Sequence, residues 1–329
     1  MKTRKREPFL LKPAAKDYLW GGNRLNTEYA KEIEMSPLAE TWECSTHPDG
    51  SSFVSSGPDE GRVLSDVIKA HPEYLGLRNE GLDALPILVK FIDADKDLSI
   101  QVHPDDDYAY KHESGSLGKT EMWYVLDAKQ GASLVYGMTA TIDKSTFQHS
   151  LEDGTAEKYL QRVPVRKDEV FFINAGTIHA IGAGCLIAEI QENSNLTYRL
   201  YDYNRVDKYG NKRELHIKKA LDVANLRKSS SPRQPLRVLK YEQGVARELL
   251  SRCKYFEVYR MIVNTERRQI VTYAADELAF RVLLCINGCG TISFNDKALE
   301  IFKGDCVFVP ADSVDIRIHG KLQFLDIRG

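Results

Sequence analysis

The chain has 329 residues, of which 43% are hydrophobic and 28% are charged. At roughly 150 residues per domain, this length predicts about two globular domains and excludes a peptide or a disordered tail. The 45 basic and 47 acidic residues leave a formal charge of -2, which argues against a broad surface for nucleic acid or for an anionic membrane.

The sequence shows no signal for export or membrane insertion. Residues 1–6 are basic, but only Phe9 to Leu11 form an apolar run before Lys12, which is too short for a signal peptide. No apolar run approaches the roughly 18 residues of a membrane span. Six scattered cysteines without a C-x-x-C pair favour reduced thiols. We therefore expect a cytoplasmic protein.

The elements predicted before residue 230 are mostly short strands. Residues 61–77 come first and predict a helix, because Leu64, Val67 and Ile68 are spaced for one face. Apolar runs bounded by turn residues then predict six strands: Ile87 to Ile92, Leu98 to Val102, Met122 to Leu126, Glu169 to Ile173, Cys185 to Ile190 and Thr197 to Tyr203. A second helix is predicted at residues 217–224, where four apolar side chains share one face.

Residues 227–237 separate two β-rich parts of the chain. Three serines, two prolines and several charges give this segment the composition of a linker. Beyond it six more strands are predicted: Phe256 to Val263, Leu278 to Ile286, Thr291 to Phe294, Cys306 to Val309, Val314 to Ile318 and Gln323 to Ile327. We predict a mainly β protein with a few helices, in which residues 1–228 form one unit and residues 229–329 a second.

One stretch of the first part has a weak echo in the second. Residues 168–179 read D-E-V-F-F-I-N-A-G-T-I-H, and residues 304–315 read G-D-C-V-F-V-P-A-D-S-V-D. Both resemble the second sequence motif of the cupin jelly roll, in which a histidine eleven positions after the first glycine binds metal. The first copy ends on His179, whereas the second ends on Asp315. The resemblance implies two cupin-like antiparallel jelly-roll units, of which the second lacks the metal ligand.

A strand near residue 100 carries polar side chains on one face. Gln101 and His103 emerge opposite the apolar residues of this strand, because side chains alternate along an extended chain. Glu121 begins a later strand, and His179 follows a turn at Gly176. Two imidazoles, a carboxylate and a carboxamide suit zinc or another divalent first-row ion. If these strands are neighbours, the four side chains form one metal site.

Positively charged residues accompany these candidate ligands. Lys119 precedes Glu121 by two positions and so shares its face, and Lys90 lies inside an apolar run. Arg199 alternates with Asn195 along a further strand. Considered one at a time, each of these charged residues could simply be exposed on an edge strand or form an ion pair. Gathered over a metal, they form an electropositive pocket that suits a phosphorylated substrate, since guanidinium binds phosphate through paired hydrogen bonds.

Eight short motifs occur in one order along the chain. They are Trp20-Gly-Gly, Ala39-Glu-Thr-Trp-Glu, Pro86-Ile-Leu-Val-Lys-Phe-Ile, Leu98-Ser-Ile-Gln-Val-His-Pro-Asp, Gly118-Lys-Thr-Glu-Met-Trp, Ala175-Gly-Thr-Ile-His-Ala, Glu189-Ile-Gln-Glu-Asn-Ser and Thr197-Tyr-Arg-Leu-Tyr-Asp. Together they resemble the type I mannose-6-phosphate isomerases (phosphomannose isomerases) in their short bacterial form, densely over roughly residues 8–205 and loosely beyond.

This resemblance implies a zinc-dependent cupin enzyme with one divalent ion per chain. It implies an aldose–ketose isomerase that interconverts mannose 6-phosphate and fructose 6-phosphate by proton transfer through an enediol. The implied metal ligands, matched position by position, are Gln101, His103, Glu121 and His179. Lys119 and Arg199 match the lysine and the arginine of the family's active site. Lys90 and Asn195 are the predicted substrate-binding residues.

Two departures from the family leave the catalytic base open. Larger members carry an aspartate where this chain has Asn195 and a histidine where it has Gly118. An amide cannot take a proton from carbon, so Glu43, a histidine or a metal-bound hydroxide stay candidates for the base.

Two other functions use the same residues. A cupin iron oxygenase also needs two histidines and a carboxylate, although Gln101 and the nearby cations disfavour it. A non-catalytic cupin sugar-phosphate sensor would keep the fold and bind without turnover. The ligand-free second unit shows that a cupin unit can be structural, but the complete ligand set of the first unit favours the isomerase.

Overall fold

The computed structural model describes residues 5–207, 209–232, 234–266 and 269–329. The helices are α1 Arg24–Tyr29, α2 Leu64–Ala70, α3 Asp106–His112, α4 Lys144–Glu152 and α5 Ile217–Val223, with 3₁₀ turns at Pro72–Leu75, Leu77–Asn79 and Ala156–Tyr159. None of the helices in these described ranges is long and apolar enough to cross a bilayer.

Among the described residues, thirteen strands precede the predicted linker. They are β1 Phe9–Lys12, β2 Ala14–Lys16, β3 Glu40–Cys44, β4 Phe53–Val54, β5 Ile87–Ala94, β6 Ile100–Val102, β7 Glu121–Ala128, β8 Ser133–Met138, β9 Leu160–Pro164, β10 Val170–Ile173, β11 His179–Ile181, β12 Cys185–Glu192 and β13 Tyr198–Tyr201. The central strands β5 and β12 are buried along their whole length. Their β-branched and aromatic residues suit a pleated surface that is covered on both faces.

Eight strands follow the linker in the part of the chain that the structure describes. They are β14 Lys240–Glu242, β15 Val245–Arg252, β16 Glu257–Asn264, β17 Val271–Tyr273, β18 Arg281–Phe294, β19 Lys297–Phe302, β20 Cys306–Val309 and β21 Ile316–Arg328. The fold is thus mainly β with antiparallel pairing, as the sequence predicts.

Two sheets of the first unit face each other. One has the order β10-β7-β12-β5-β3-β2 and the other the order β13-β6-β11-β8-β9. A core that includes Trp123, Val125, Leu134 and Ile187 fills the space between them. The functional strands are divided between the two sheets, with β7 in the first and β6 and β11 in the second, so their inward side chains meet inside the unit.

The second unit is built around a ten-stranded sheet that also includes two strands from the start of the chain. Strand β1 pairs with β20, and β4 pairs with β1. One core lies inside this unit, and another joins it to the outer face of the first unit through residues such as Phe91 and Phe280. The division at residues 228 and 229 stays a prediction, but the N-terminal segment contributes strands to the second unit's sheet.

Two pairs of predicted strands are single strands in the structure. Strand β18 spans the predicted pair at residues 278–286 and 291–294, and β21 spans the pair at residues 314–318 and 323–327. Gly288 and Gly320 have positive φ angles of 83° and 132°. These glycines let each strand bend while its pairing continues, because glycine adopts such angles without a steric penalty.

Backbone φ angles support the similarity between residues 168–179 and residues 304–315. Asp168 and Gly304 begin the two copies with φ angles of 70° and 105°, and Gly176 and Asp312 have φ angles of 82° and 54°. Each aspartate therefore takes the left-handed conformation that its glycine counterpart takes in the other copy, a conformation that aspartate tolerates better than most residues. The sequence mismatch at these positions thus conceals a shared turn geometry.

Candidate metal centre

Three buried side chains converge inside the first unit. His103 directly follows β6, Glu121 begins β7 and His179 begins β11. Their ligand atoms all lie within 4.8 Å of one another, and each residue is at most 1% exposed. Strands that are far apart in sequence therefore bring together a carboxylate and two imidazoles, the donor set of many zinc and first-row metal sites.

The two imidazole rings are oriented in the same way. Nδ1 of His103 lies 2.8 Å from the carbonyl oxygen of Leu196, and Nδ1 of His179 lies 2.8 Å from that of Thr177. A carbonyl only accepts, so both Nδ1 atoms carry the proton and both Nε2 atoms have a free lone pair. These Nε2 atoms lie 3.7 and 3.3 Å from the oxygens of Glu121. A hydrogen bond from the ring nitrogen that does not face the metal is typical of metal-binding histidines and holds the ring in place.

The Glu121 carboxylate is buried without satisfied hydrogen bonds. Both oxygens lack a hydrogen-bond partner of good geometry among the described residues, although Nζ of Lys119 lies 2.9 Å from Oε2. A buried carboxylate of this kind is costly unless a positive charge compensates it. The orphaned oxygens therefore fit a site for a cation.

Gln101 lies beside His179 across the β6–β11 pairing. The two residues are direct partners in the register, and their Nε2 atoms are 3.4 Å apart. With Nε2 of His179 unprotonated, the amide N–H of Gln101 is placed to donate to it, and a 180° turn of the carboxamide would put its oxygen there instead, because amide oxygen and nitrogen have nearly the same shape. In the turned orientation the amide oxygen would be available to a metal ion bound by the cluster.

Burial keeps both histidines neutral. Burial, with help from Lys119 and His179, lowers the pKa of His103 well below its usual value. Burial also lowers the pKa of His179 to about 4. Neutral imidazole is the form that binds metal, so the pair is ready to act as ligands at neutral pH.

A line of buried charges continues from Glu121 away from the cluster. Lys119 lies 4.0 Å from Glu189, which lies 3.3 Å from Lys90, which in turn lies 3.7 Å from Glu40. Burial raises the pKa of Glu121, and Glu189 adds to this effect. Burial opposes the charge on Lys90, but Glu40 and Glu189 hold its pKa above the usual value. The alternating signs make it possible for five charges to be buried together.

Arg199 lies next to the cluster on the neighbouring strand. It pairs with Gln101 in the β13–β6 register, so both side chains leave the same face of the sheet. Its Nε is buried without a hydrogen-bond partner, and no carboxylate of the described residues lies within ion-pair distance of it. The guanidinium therefore keeps binding capacity for an anion.

The other two predicted substrate residues lie elsewhere. Lys90 is only 3% exposed and belongs to the line of buried charges. Asn195 is exposed on the loop before β13, where its amide donates a hydrogen bond of 2.8 Å to Asp49. The structure thus brings six predicted residues to one place, with Lys90 behind them and Asn195 at the surface.

Glu43 does not fit the role of catalytic base. Its carboxylate is fully buried, 2.7 Å from Nζ of Lys31, and accepts a hydrogen bond from Thr41. It alternates with Glu40 and Trp42, which face Lys90, and therefore points to the opposite side of β3. Glu43 joins the first unit to the second, where Lys31 also contacts the carbonyl of Gly304.

Gly118 occupies a place too narrow for a side chain. A Cβ atom there would lie 2.4 Å from the carbonyl carbon of Asp105 and 2.5 Å from the backbone nitrogen of Asp106. Backbone atoms cannot give way at such distances. The histidine of the larger relatives is therefore sterically excluded from this position, and close packing against α3 accounts for the departure.

Sequence reasoning missed three residues that complete the site. Glu189 is buried among lysines, Glu40 pairs with Lys90, and Trp123 donates a hydrogen bond of 2.8 Å to Glu189. The signal was a carboxylate inside the apolar run of β12, since a fully buried glutamate needs a charged partner.

The fold and the cluster together define a cupin-fold protein with a candidate metal centre. The family model for "Phosphomannose isomerase type I, catalytic domain" matches residues 9–145. The family model for "Mannose-6-phosphate isomerase, cupin domain" matches residues 246–328. Mannose-6-phosphate isomerase ManA of Bacillus subtilis is 35% identical over 317 residues, which are 95% of this chain and 96% of the relative.

Solved structures agree with this match. The crystal structure of the mannose 6-phosphate isomerase from Bacillus subtilis superposes with a TM-score of 0.90 at 33% identity and covers 98% of this chain and 99% of its own. A zinc-bound mannose 6-phosphate isomerase shares the fold with a TM-score of 0.77 at 16% identity, over 98% of this chain and 99% of its own. The chain belongs to the type I mannose-6-phosphate isomerase family, and it is an enzyme of that kind.

Proposed function

We propose that the chain is a metal-dependent aldose–ketose isomerase that interconverts mannose 6-phosphate and fructose 6-phosphate by proton transfer through an enediol. The observation that carries this proposal is the buried cluster of His103, Glu121 and His179, with Lys119 in contact with it. Family membership supplies the substrate class. The cluster supplies the reason to expect a metal.

The donor set fits one zinc ion. His103 and His179 offer neutral Nε2 atoms, Glu121 offers two orphaned oxygens, and Gln101 offers an amide oxygen after rotation. Two nitrogens and two oxygens match the borderline preference of zinc. When bound, the ion supplies a Lewis acid that holds and polarises sugar oxygens.

Lys119 provides a second positive charge at the reacting carbons. Its ammonium is only 4% exposed and lies 3.2 Å from Nε2 of His103. Proton transfer from C2 to C1 builds negative charge on the adjacent oxygen, and a fixed cation in a dry site stabilises that charge. Glu189, 4.0 Å away in the line of buried charges, gives this ammonium a second carboxylate neighbour besides Glu121.

Arg199 is the proposed contact for the phosphate group. It is half-buried, leaves the same face of the sheet as Gln101 and has no carboxylate partner within 4.0 Å in the described ranges. Its fork of N–H donors matches phosphate oxygens. Lys90 and Asn195 stay predictions as substrate contacts.

A coupled assay for fructose 6-phosphate formation tests the proposal. Turnover that a chelator removes and zinc restores, without oxygen uptake, is the expected result. Oxygen uptake would identify the iron oxygenase, and binding of mannose 6-phosphate without turnover would identify the sensor. Arg199→Ala should retain bound metal and lose most turnover of the phosphorylated sugar, whereas Arg227→Ala, an exposed arginine of the linker, should match the parent enzyme.

A further inference from the structure

A loop of the second unit contacts helix α3, which follows the candidate ligand His103 in the chain. Residues 253–256 connect β15 to β16, and Phe256 anchors them in the shared core, where it is 3% exposed and lies 6.4 Å from Phe172 between ring centroids. The loop places Tyr255 against α3 of the first unit. Its hydroxyl donates a hydrogen bond of 2.6 Å to Oδ2 of Asp106.

Asp106 connects this tyrosine to the segment before β7. Its Oδ2 also accepts from Nζ of Lys254 at 3.0 Å, while its Oδ1 accepts from the backbone nitrogen of Gly118 at 3.0 Å. The carboxylate therefore bridges the second unit and the backbone of the first. Hydrogen bonds to an ionised acceptor are the stronger kind, so this bridge resists rearrangement.

The bridged backbone directly precedes Lys119. The nitrogen of Lys119 donates to the carbonyl of Pro104 at 3.0 Å, and Gly118 packs against Asp105 too closely for a Cβ atom. These contacts fix the backbone of Lys119 and therefore the starting point of its side chain. Its ammonium then lies 2.9 Å from Glu121 and 3.2 Å from His103.

We propose that Tyr255 is a positioning residue for catalysis: through Asp106 it fixes the backbone at Gly118 and so the place of the Lys119 ammonium. The inference rests on the proposed role of Lys119. It gives the second unit, which carries no ligand cluster in the described residues, a part in the reaction through geometry. A lysine displaced by a fraction of an ångström would stabilise the developing charge less well.

Tyr255→Phe removes only the hydroxyl and leaves the ring and the loop intact. We expect kcat to fall about three- to tenfold, with KM within about twofold and bound metal unchanged, since one hydrogen bond to a carboxylate is lost. Tyr241→Phe is the matched control, because this tyrosine is 76% exposed on β14. A parent-like kcat in Tyr255→Phe would overturn the inference.

A double-mutant cycle separates positioning from general weakening. In a Lys119→Ala background, Tyr255→Phe should have no further effect on kcat, because the lysine that it positions is gone. Equal effects in both backgrounds would overturn the inference. Full activity of Lys119→Ala alone would instead contradict the proposed role of the lysine, which distinguishes the two failures.

Hydrogen exchange provides a readout that is independent of turnover. The backbone amides of Gly118 and Lys119 should exchange faster in Tyr255→Phe than in Tyr241→Phe, because their segment is held less firmly. Exchange that is equal in the two variants would overturn the inference even if kcat fell, since the tyrosine would then act by another route.

Discussion

The two units carry different side chains on similarly paired strands. In the first unit Gln101 lies opposite His179, and in the second Tyr273 lies opposite Ile316. Likewise, Glu121 lies opposite Ile173 and Gln191, whereas the second unit's Arg281 lies opposite Val309 and Arg328. Strand pairing is thus shared, while the chemistry of the inward side chains differs.

In the second unit the buried carboxylate of Asp326 contacts a tyrosine and an arginine. Tyr273 donates a hydrogen bond of 2.7 Å to Asp326, Arg281 lies 3.6 Å from the same carboxylate, and Ile316 is fully buried. In the first unit Glu121 lies 2.9 Å from Lys119, but neither of its oxygens has a hydrogen bond of good geometry among the described residues. The second unit thus surrounds its carboxylate with a hydroxyl and a guanidinium, whereas the first unit sets two neutral imidazoles beside its carboxylate, the donor set that suits a metal ion.

The largest contrast is expected from truncating the first, buried residue of one strand in each unit, His179 of β11 and Ile316 of β21. His179→Ala should abolish metal binding and reduce turnover by at least about a thousandfold, because an imidazole is lost from a small ligand set. Ile316→Ala should keep the metal and the activity of the folded enzyme but lower the free energy of unfolding by about 2–5 kcal/mol through a core cavity. Elemental analysis and urea unfolding measure the two effects. Full metal content in His179→Ala would contradict the assignment.

The second-largest effect, a loss of stability, is expected from Arg281→Met in the second unit. Removing this guanidinium leaves Asp326 buried with less compensation, so we expect a loss of about 3 kcal/mol in the free energy of unfolding at pH 7.5. Burial already raises the pKa of Asp326, and Arg281 opposes that rise. Because protonation relieves the unpaired charge, the loss should shrink as the pH is lowered. A loss that does not change with pH would show that Asp326 is not the group concerned.

A smaller, pH-dependent effect on the free energy of unfolding is expected from Glu192, which lies near Asp106. Burial and Asp106 raise the pKa of Glu192 to about 8. The native protein thus holds a proton that the unfolded chain releases near pH 4.5, and stability should fall as the pH rises from about 4.5 to 8. Glu192→Gln cannot titrate, so this decline should be weaker in urea unfolding at pH 5, 6.5 and 8. Glu60→Gln, at an exposed position, is the control, and parallel profiles for the two variants would refute the assignment.

The smallest effect is expected from restoring the missing motif histidine. Asp315→His recreates the histidine of the cupin motif in the second unit, but Asp315 is exposed and the buried neighbour is Ile316. We expect no bound metal beyond that of the parent and a change in stability within about 0.5 kcal/mol. A second equivalent of zinc by elemental analysis would show that the second unit keeps a latent site.

Much of the candidate site follows from local periodicity. Alternation places Gln101 and His103 on one side of a strand, and the two-residue spacing does the same for Lys119 and Glu121. In the structure the ligand atoms of His103, Glu121 and His179 lie within 4.8 Å of one another, and their role as metal ligands stays a prediction. These statements need only the geometry of one strand, because the side to which a residue points depends on its own backbone.

Local periodicity does not reveal the role of residues whose surroundings depend on which strands become neighbours. Glu43 was a candidate base, yet its side of β3 faces the second unit and Lys31. Glu189 went unnoticed because only the pairing of β12 with β5 and β7 brings it to Lys90 and Lys119.

The sequence by itself determined the strand-rich character, the ligand types and the side of each strand on which they stand. Only the tertiary structure decided that β6, β7 and β11 share one interior, that Arg199 is adjacent to Gln101, and that Tyr255 reaches Asp106. The physical reason is that backbone conformation acts between neighbours in the chain. Burial and strand pairing act between segments that can be more than a hundred residues apart.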